Sequence, residues 1–370
     1  MTIALTPDRP INGISKTLLS SAQTAHYTKA EKQFIQLLRT ENLDQRVSYQ
    51  PELMGDFSAA LTDALKIAYS ESSSSDAVES AQLFLQRILY QINRLNFFWY
   101  GDLLQYQNER SYYLQQVRDS IEAVWQPWEL AHLNVDQLQR LDVKQALIDR
   151  CEADLQPALS DSKRYIQEQM TLEGYRHLIA IASLDGLVES SRLCNILGGA
   201  SNEIQATLIR VLIEEYGNGR LPRKHSTFFA QMMRELELRS EPETYLDLVP
   251  WQVLACINHN FLLTECKRHF LRYIGGFTYF EIVGPSVYRD YMKAAQRLNL
   301  SDTAMGYWEL HIREDERHGQ WMLHDVALAL ADHYPEQAWE LVLGYDQDKW
   351  MGDRAGKAVI QMIQQAEQSS

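Results

Sequence analysis

Between Ser75 and Tyr100 apolar side chains return every third or fourth position, at Val78, Ala81, Leu85, Ile88, Ile92 and Leu95. That spacing matches the turn of an α-helix and gathers the apolar groups on one face. The same period recurs in 28–40, in 112–125 and through most of the chain after residue 160. No stretch alternates apolar and polar residues between hairpin turns, so few strands or none are expected. The fold class read from this pattern is all-α. Only 10 Pro and 17 Gly occur in 370 residues, which leaves room for long helices.

A serine-rich loop, SESSSSD (70–76), leads into the 75–100 helix, with Asp76 as its cap. QPWELAHLNVDQ (126–137) is expected to be a connection. The domain reading is a smaller helical domain over 1–150, followed by a helical bundle over 151–370. Bundle helices are expected near 161–197, 202–216, 225–238, 249–282, 286–298, 302–332 and 336–346, with one more near the end. Gly284-Pro285-Ser286 is expected to stop one helix and restart the next.

The chain is 45% hydrophobic and 23% charged, enough for a sizeable core. Its formal net charge of -14 argues against nucleic acid and against an anionic membrane as partners. No apolar run approaches the ~20 residues of a membrane span. The opening MTIALTPDRPINGISKTLL lacks the pattern of a signal peptide. Cys151, Cys194, Cys256 and Cys266 form no CxxC and read as reduced core thiols in a cytoplasmic protein.

The 302–332 helix carries an anomaly. Its core-facing stripe runs Ala304, Trp308, His311, Asp315, His318, Met322, Ala329. His311, Asp315 and His318 stand at i,i+4 and i,i+3 spacing, so all three project from the face that should be apolar. Burying an unpaired carboxylate costs several kcal/mol or forces its protonation. Two imidazoles and a carboxylate there call either for a metal or for a hydrogen-bonded core cluster. Arg313, Glu314, Glu316 and Arg317 fall on other faces and read as solvated.

Other helices repeat the anomaly. Glu215 lies on the stripe Ile204, Leu208, Val211, whereas Glu214 does not. Glu281 follows Phe270, Ile274 and Phe277 on one face, and Glu189 shares a face with Leu178, Ala182 and Asp185. His225 follows the turn LPRK. Glu189, Glu215, Glu281 and Asp315 supply four negative charges, and His225, His311 and His318 supply neutral nitrogens. Two divalent ions balance that set, and carboxylate–imidazole ligands without thiolate suit iron or manganese. The one Glu-x-x-His motif, Glu129–His132, stands alone in the expected connection, so this is not the usual ferritin-like arrangement.

EEYGNGRLPRKH (214–225), FEIVGPSVYRDYM (280–292) and HIREDERH (311–318), in that order, resemble the heme-oxygenase-like diiron oxidases and oxygenases, the iron-containing redox enzymes. The resemblance covers roughly 165–335. It implies a heme-oxygenase-like helical bundle holding Fe(II)/Fe(III), two per chain, with O2 as co-substrate. One iron would take Glu215, Glu281 and His311, and the other Glu189, His225 and His318. Asp315 would contact one or both, and Glu215 and Asp315 are counted as catalytic. The triad helix is expected to be distorted or partly disordered without metal. The helical N-terminal part resembles a subgroup in which such a domain mediates homodimerisation and a cupin follows the bundle. The sequence leaves no room for that cupin, so cupin-dependent rearrangement is not expected. The implied activity is N-oxygenation of an amine or amino-acid-derived small molecule in specialised metabolism, with an external electron donor where the substrate supplies no electrons. Oxidative C–C cleavage or desaturation at the same site, a cofactor-free hydrolase on the same fold, and a helical scaffold remain open alternatives. The carboxylate-rich interior disfavours heme.

Overall fold

A computed structural model of the chain describes residues 22–70, 74–97, 103–188 and 190–368. Among these residues the architecture is all-α, with no strand. The expected helix at 75–100 runs Ser75–Phe97, with Asp76 inside its first turn rather than capping it. The NFFWY end of that stretch falls partly outside the described residues, as do the opening segment and Glu189.

Two expected interruptions are helix instead. Tyr112–Leu130 passes through Pro127, so the start of the expected connection is helix. Phe270–Arg297 passes through Pro285 without a stop, and the break in this region lies earlier, at Cys266–His269, where Cys266 is extended. A proline inside a helix removes one hydrogen bond, to the carbonyl four residues back. For Pro285 that carbonyl belongs to Glu281. Pro285 itself is buried, so tertiary packing carries the helix across the gap.

Other boundaries shift as well. The first expected bundle helix is two, Asp161–Glu168 and Leu172–Gly186, the second capped by Thr171, whose hydroxyl accepts from Gly174 N–H. The last two are one, Trp339–Gln368. The 302–332 segment is continuous, but it passes from α-helix (Asp302–Gln320) through a π-helical stretch (Trp321–Ala327) into a last α turn (Leu328–His333). The distortion therefore lies just beyond His318, and the triad itself sits on regular helix. Wide helical turns of this kind concentrate at functional sites.

Phe270–Arg297 is the axis of the bundle and packs on both Asp302–Gln320 and Trp339–Gln368. Gly275 and Gly344 let the last pair meet backbone to backbone, since a Cβ on either would run into a carbonyl of the other helix. The N-terminal helices build their own apolar cluster around Phe34, Phe57, Phe84 and Trp125, which extends onto Trp251, Ala255 and Met351 of the bundle. All four cysteines are free. Cys151 is buried, but Cys194 is exposed on a short 3-10 turn, so it is not a core thiol. Among the described residues no helix is long and apolar enough to cross a membrane.

Candidate metal centre

Four helices converge on one buried polar pocket. Asn202–Glu215 brings Glu215 at its last residue, and His225–Glu235 brings His225 at its first. Phe270–Arg297 brings Glu281, and Asp302–Gln320 brings His311, Asp315 and His318. None of these six is more than 6% exposed. Glu189 lies outside the described residues.

The loop between Glu215 and His225 explains how the first two meet. Gly217, Asn218 and Gly219 all have positive φ, turning the chain back on itself. A Cβ on Gly217 would collide with the backbone of Arg223 and Lys224, so only glycine fits. His225 Nδ1 then lies 3.0 Å from Glu215 Oε2. Close approach also shapes the far side. A Cβ on Gly284 would meet Asp315 Oδ2 at 3.0 Å, and one on Gly319 would meet the Glu281 carbonyl at 3.1 Å. These two glycines let the axial helix and the triad helix close around the carboxylates.

The side chains group into two sets that share one residue. Ligand-type atoms of Glu215, His225 and His311 lie within 4.8 Å of one another, as do those of Glu215, Asp315 and His318. Glu281 joins the second side, with Oε2 3.4 Å from His318 Nδ1. This division differs from the one implied by resemblance, which put His311 with Glu281 and His225 with His318. The cause is geometric. His311 and His318 stand two helical turns apart and reach opposite ends of the pocket. His225 reaches only the His311 end, its ring centroid 4.4 Å away.

Charge is balanced inside the cluster by imidazole. Burial pushes the Glu215 carboxyl up, but the His225 hydrogen bond and the charges of His225, His311 and His318 outweigh it and bring it to about 2. Burial lowers His318, yet its bond to Glu281, the charges of Glu281 and Glu215, and its bond to Glu214 raise it to about 9. Glu281 is the strained member. Burial raises it, His318 only partly offsets this, and Glu215 repels its charge.

Three contributors were not legible as such. Glu214, read as off the stripe, and Glu314, read as solvated, both turn toward the pocket. His318 Nε2 lies 2.9 Å from Glu214 Oε2, and His225 Nε2 lies 3.0 Å from Glu314 Oε2. Long carboxylates one position off the stripe reach round the helix to its flank. Ser190 donates its hydroxyl to Glu215 Oε2 at 3.0 Å from a left-handed backbone conformation, with φ 60. A non-glycine residue held there is strained, and such strain gathers at functional sites.

Aromatic rings close one end. Tyr307 and Tyr288 lie 4.2 and 5.0 Å from the His311 ring. Among the other aromatics of these helices, Trp308 is buried and donates to Tyr175, Phe277 and Tyr279 join another part of the core, and Phe280 is exposed. Arg272 is paired with Glu340 at 2.6 Å. Arg210 stacks over Trp321 with its guanidinium carbon 3.8 Å from the ring centroid. Glu129 and His132 are far from any such role, with Glu129 paired to Arg354 and His132 stacked on Trp350.

Residues 176–347, the segment carrying all six residues, match the family model of iron-containing redox enzymes. The segment belongs to that family. The all-α, heme-oxygenase-like bundle expected from the motifs is thereby its fold. A nitrosourea synthase from Streptomyces achromogenes subsp. streptozoticus is 29% identical over 142 residues, covering 37% of this chain and 29% of that protein. The chain thus aligns with under a third of that relative. The matched family is one of iron-containing redox enzymes.

The donor set fits iron of this family. It offers imidazole nitrogen and carboxylate oxygen with no thiolate, which suits iron. The three histidines each turn one nitrogen inward and hold the other from outside, the arrangement metal-ligating histidines adopt.

Proposed function

We propose that this protein is an O2-dependent non-heme diiron oxidoreductase of the mono-oxygenase type. In this reading it oxygenates the nitrogen of an amine or amino-acid-derived small molecule. The observation that carries the metal part is the convergence of Glu215, His225, Glu281, His311, Asp315 and His318, all buried, from four helices. Support for nitrogen as the target comes from the similarity to a nitrosourea synthase over part of the chain. Glu189 completes the proposed ligand set.

When bound, two ferrous ions would supply the electrons that activate O2, which is itself the source of the oxidant. The chain's own residues prepare the place. Glu215 belongs to both ligand groups and is the residue suited to bridge them, with Ser190 holding its Oε2. Asp315 stands between the two histidines of its helix and serves the His318 side. Tyr288, Tyr307 and Trp308 exclude water from the His311 end. We further propose that residues 1–150 form a separate helical domain that mediates homodimerisation, in a cytoplasmic protein that receives electrons from an external donor.

The test is iron stoichiometry after anaerobic Fe(II) loading, followed by O2 mixing with optical detection, on wild type and His318→Ala. About two irons per chain and a transient absorbance, both lost in the variant, are expected from a site built on seven donors. Absence of specific iron uptake by wild type would leave a buried hydrogen-bond cluster and remove the proposal.

A further inference from the structure

The two acidic dipeptides at the pocket divide their labour. In Glu214–Glu215 and in Glu314–Asp315 the second carboxylate faces the pocket, while the first receives a histidine from a neighbouring helix. Glu214, on Asn202–Glu215, accepts from His318 Nε2 at 2.9 Å. Glu314, on Asp302–Gln320, accepts from His225 Nε2 at 3.0 Å. Their side chains are 24% and 16% exposed, so both bonds sit at the edge of solvent rather than in it. Successive helical residues point about 100° apart, so one carboxylate can enter the pocket while its neighbour flanks it.

The third histidine is held differently. His311 Nδ1 donates to the Tyr307 carbonyl at 2.9 Å, which leaves Nε2 facing inward, 3.1 Å from His225 Nδ1. The inward nitrogens are therefore Nδ1 on His225 and His318 but Nε2 on His311. A neutral imidazole carries its proton on one nitrogen only, so the outward acceptor decides which nitrogen is presented.

We infer that Glu214 and Glu314 are positioning residues of the metal centre, each fixing the tautomer and ring orientation of one histidine so that its Nδ1 is the ligand atom. The inference rests on the diiron reading. A carboxylate behind an imidazole also makes the inward nitrogen a stronger donor than a carbonyl does. The His225 and His318 sides should therefore depend on their backing carboxylates in a way the His311 side cannot.

Cobalt(II) titration of the apoprotein, followed optically, tests this on wild type, Glu214→Gln, Glu214→Ala, Glu314→Gln, Glu314→Ala and Arg317→Ala. The alanine variants should bind cobalt about 10–100-fold more weakly, and the glutamine variants, which keep an acceptor, should recover part of that loss. Arg317→Ala removes the other partner of Glu214, at 2.9 Å, and should leave affinity unchanged. Ring-nitrogen NMR of the zinc-loaded wild type should show the proton on Nε2 of His225 and His318 and on Nδ1 of His311. A purely structural role would lower the melting temperature of the apoproteins without moving affinity or tautomer. Cobalt binding by wild type with both alanine variants within about twofold of it, or with the tautomers reversed, overturns the inference. No cobalt uptake by wild type is a separate result, because it removes the diiron reading itself. The glutamine variants, equal in size to the residues they replace, keep the test open should an alanine variant misfold.

Discussion

Two buried carboxylate clusters in this molecule are neutralised in opposite ways. Glu129, fully buried, accepts from Trp125 Nε1 and from Arg354 Nη2, both at 2.7 Å. The Arg354 guanidinium lies 5.2, 4.7 and 4.3 Å from the ring centroids of Trp128, Trp251 and Trp350. This acid brings a permanent cation held by aromatic faces. Glu215, Glu281 and Asp315 are buried as deeply, yet the cations offered to them are imidazoles, whose charge can be withdrawn. A carboxylate meant only to fasten helices is paired once and for all. The carboxylates proposed to receive a metal are left with partners that can surrender a proton to make way for it.

The first way to break this contrast is Arg354→Ala. Removing one partner of a buried pair leaves an uncompensated charge, so a loss of about 3–5 kcal/mol is expected by chemical denaturation. The loss should be the same with and without iron, and iron uptake by the folded fraction should persist. An iron-dependent difference would mean that the two clusters communicate.

The second concerns pH, in the metal-free protein. His318 is raised to about 9, so its contribution to stability is full below its unfolded value near 6.5 and disappears as pH climbs through 9. Glu215 is lowered to about 2, so its contribution is full above about 4.5 and disappears as pH falls toward 2. Apoprotein stability, measured by denaturant titration, should fall on both sides of that interval. His318→Gln should flatten the alkaline limb and change the acid limb much less, because His225 is the main cause that lowers Glu215. Metal binding needs neutral imidazole, so loading should remove the alkaline limb as well. An alkaline limb unchanged in His318→Gln would show that His318 is not the group responsible.

Metal itself gives the third effect. A ligand that binds only the folded state adds about 2.7 kcal/mol at a hundredfold excess over its dissociation constant. Iron or cobalt should raise the melting temperature of wild type and of variants at the Arg354 cluster, but not of His311→Ala or His318→Ala. Equal stabilisation of all of them would point to binding elsewhere.

The contrast also shows what sequence can carry. The helical period names the faces, so Glu215, Glu281, His311, Asp315 and His318 stand out as polar residues on apolar stripes. The period says nothing of how far a side chain bends, and Glu214 and Glu314 reach the pocket from positions one step off it. Nor does it say when packing outweighs a local rule. The 126–137 stretch read as a connection and Pro285 as a break, but Pro127 and Pro285 each cost one backbone bond in a helix that continues through them. Glu129 was legible only as half of a lone Glu-x-x-His. Its partner Arg354 is 225 residues away, beyond any local pattern. The strained backbone at Ser190 left no mark, because serine gives no sign of a positive φ.

Glu281 sharpens the comparison most finely. It is the carboxylate whose charge the fold opposes, pushed up by burial and by Glu215 and only partly relieved by His318. An acid raised in the folded state weakens that state at every pH above its unfolded value, so it destabilises the apoprotein at pH 7. Glu281→Gln keeps the shape and removes the charge. The apoprotein should become more stable at pH 7, because the substitution removes a charge that the fold opposes. Metal uptake should weaken in the same variant, so that stability and function move in opposite directions. Glu129→Gln applies the same change to the other cluster and should do the reverse, costing stability because it strands Arg354 while leaving metal uptake alone. If both substitutions destabilise the metal-free protein alike, the two clusters are one kind of structure, and the distinction between fastening and receiving carboxylates fails.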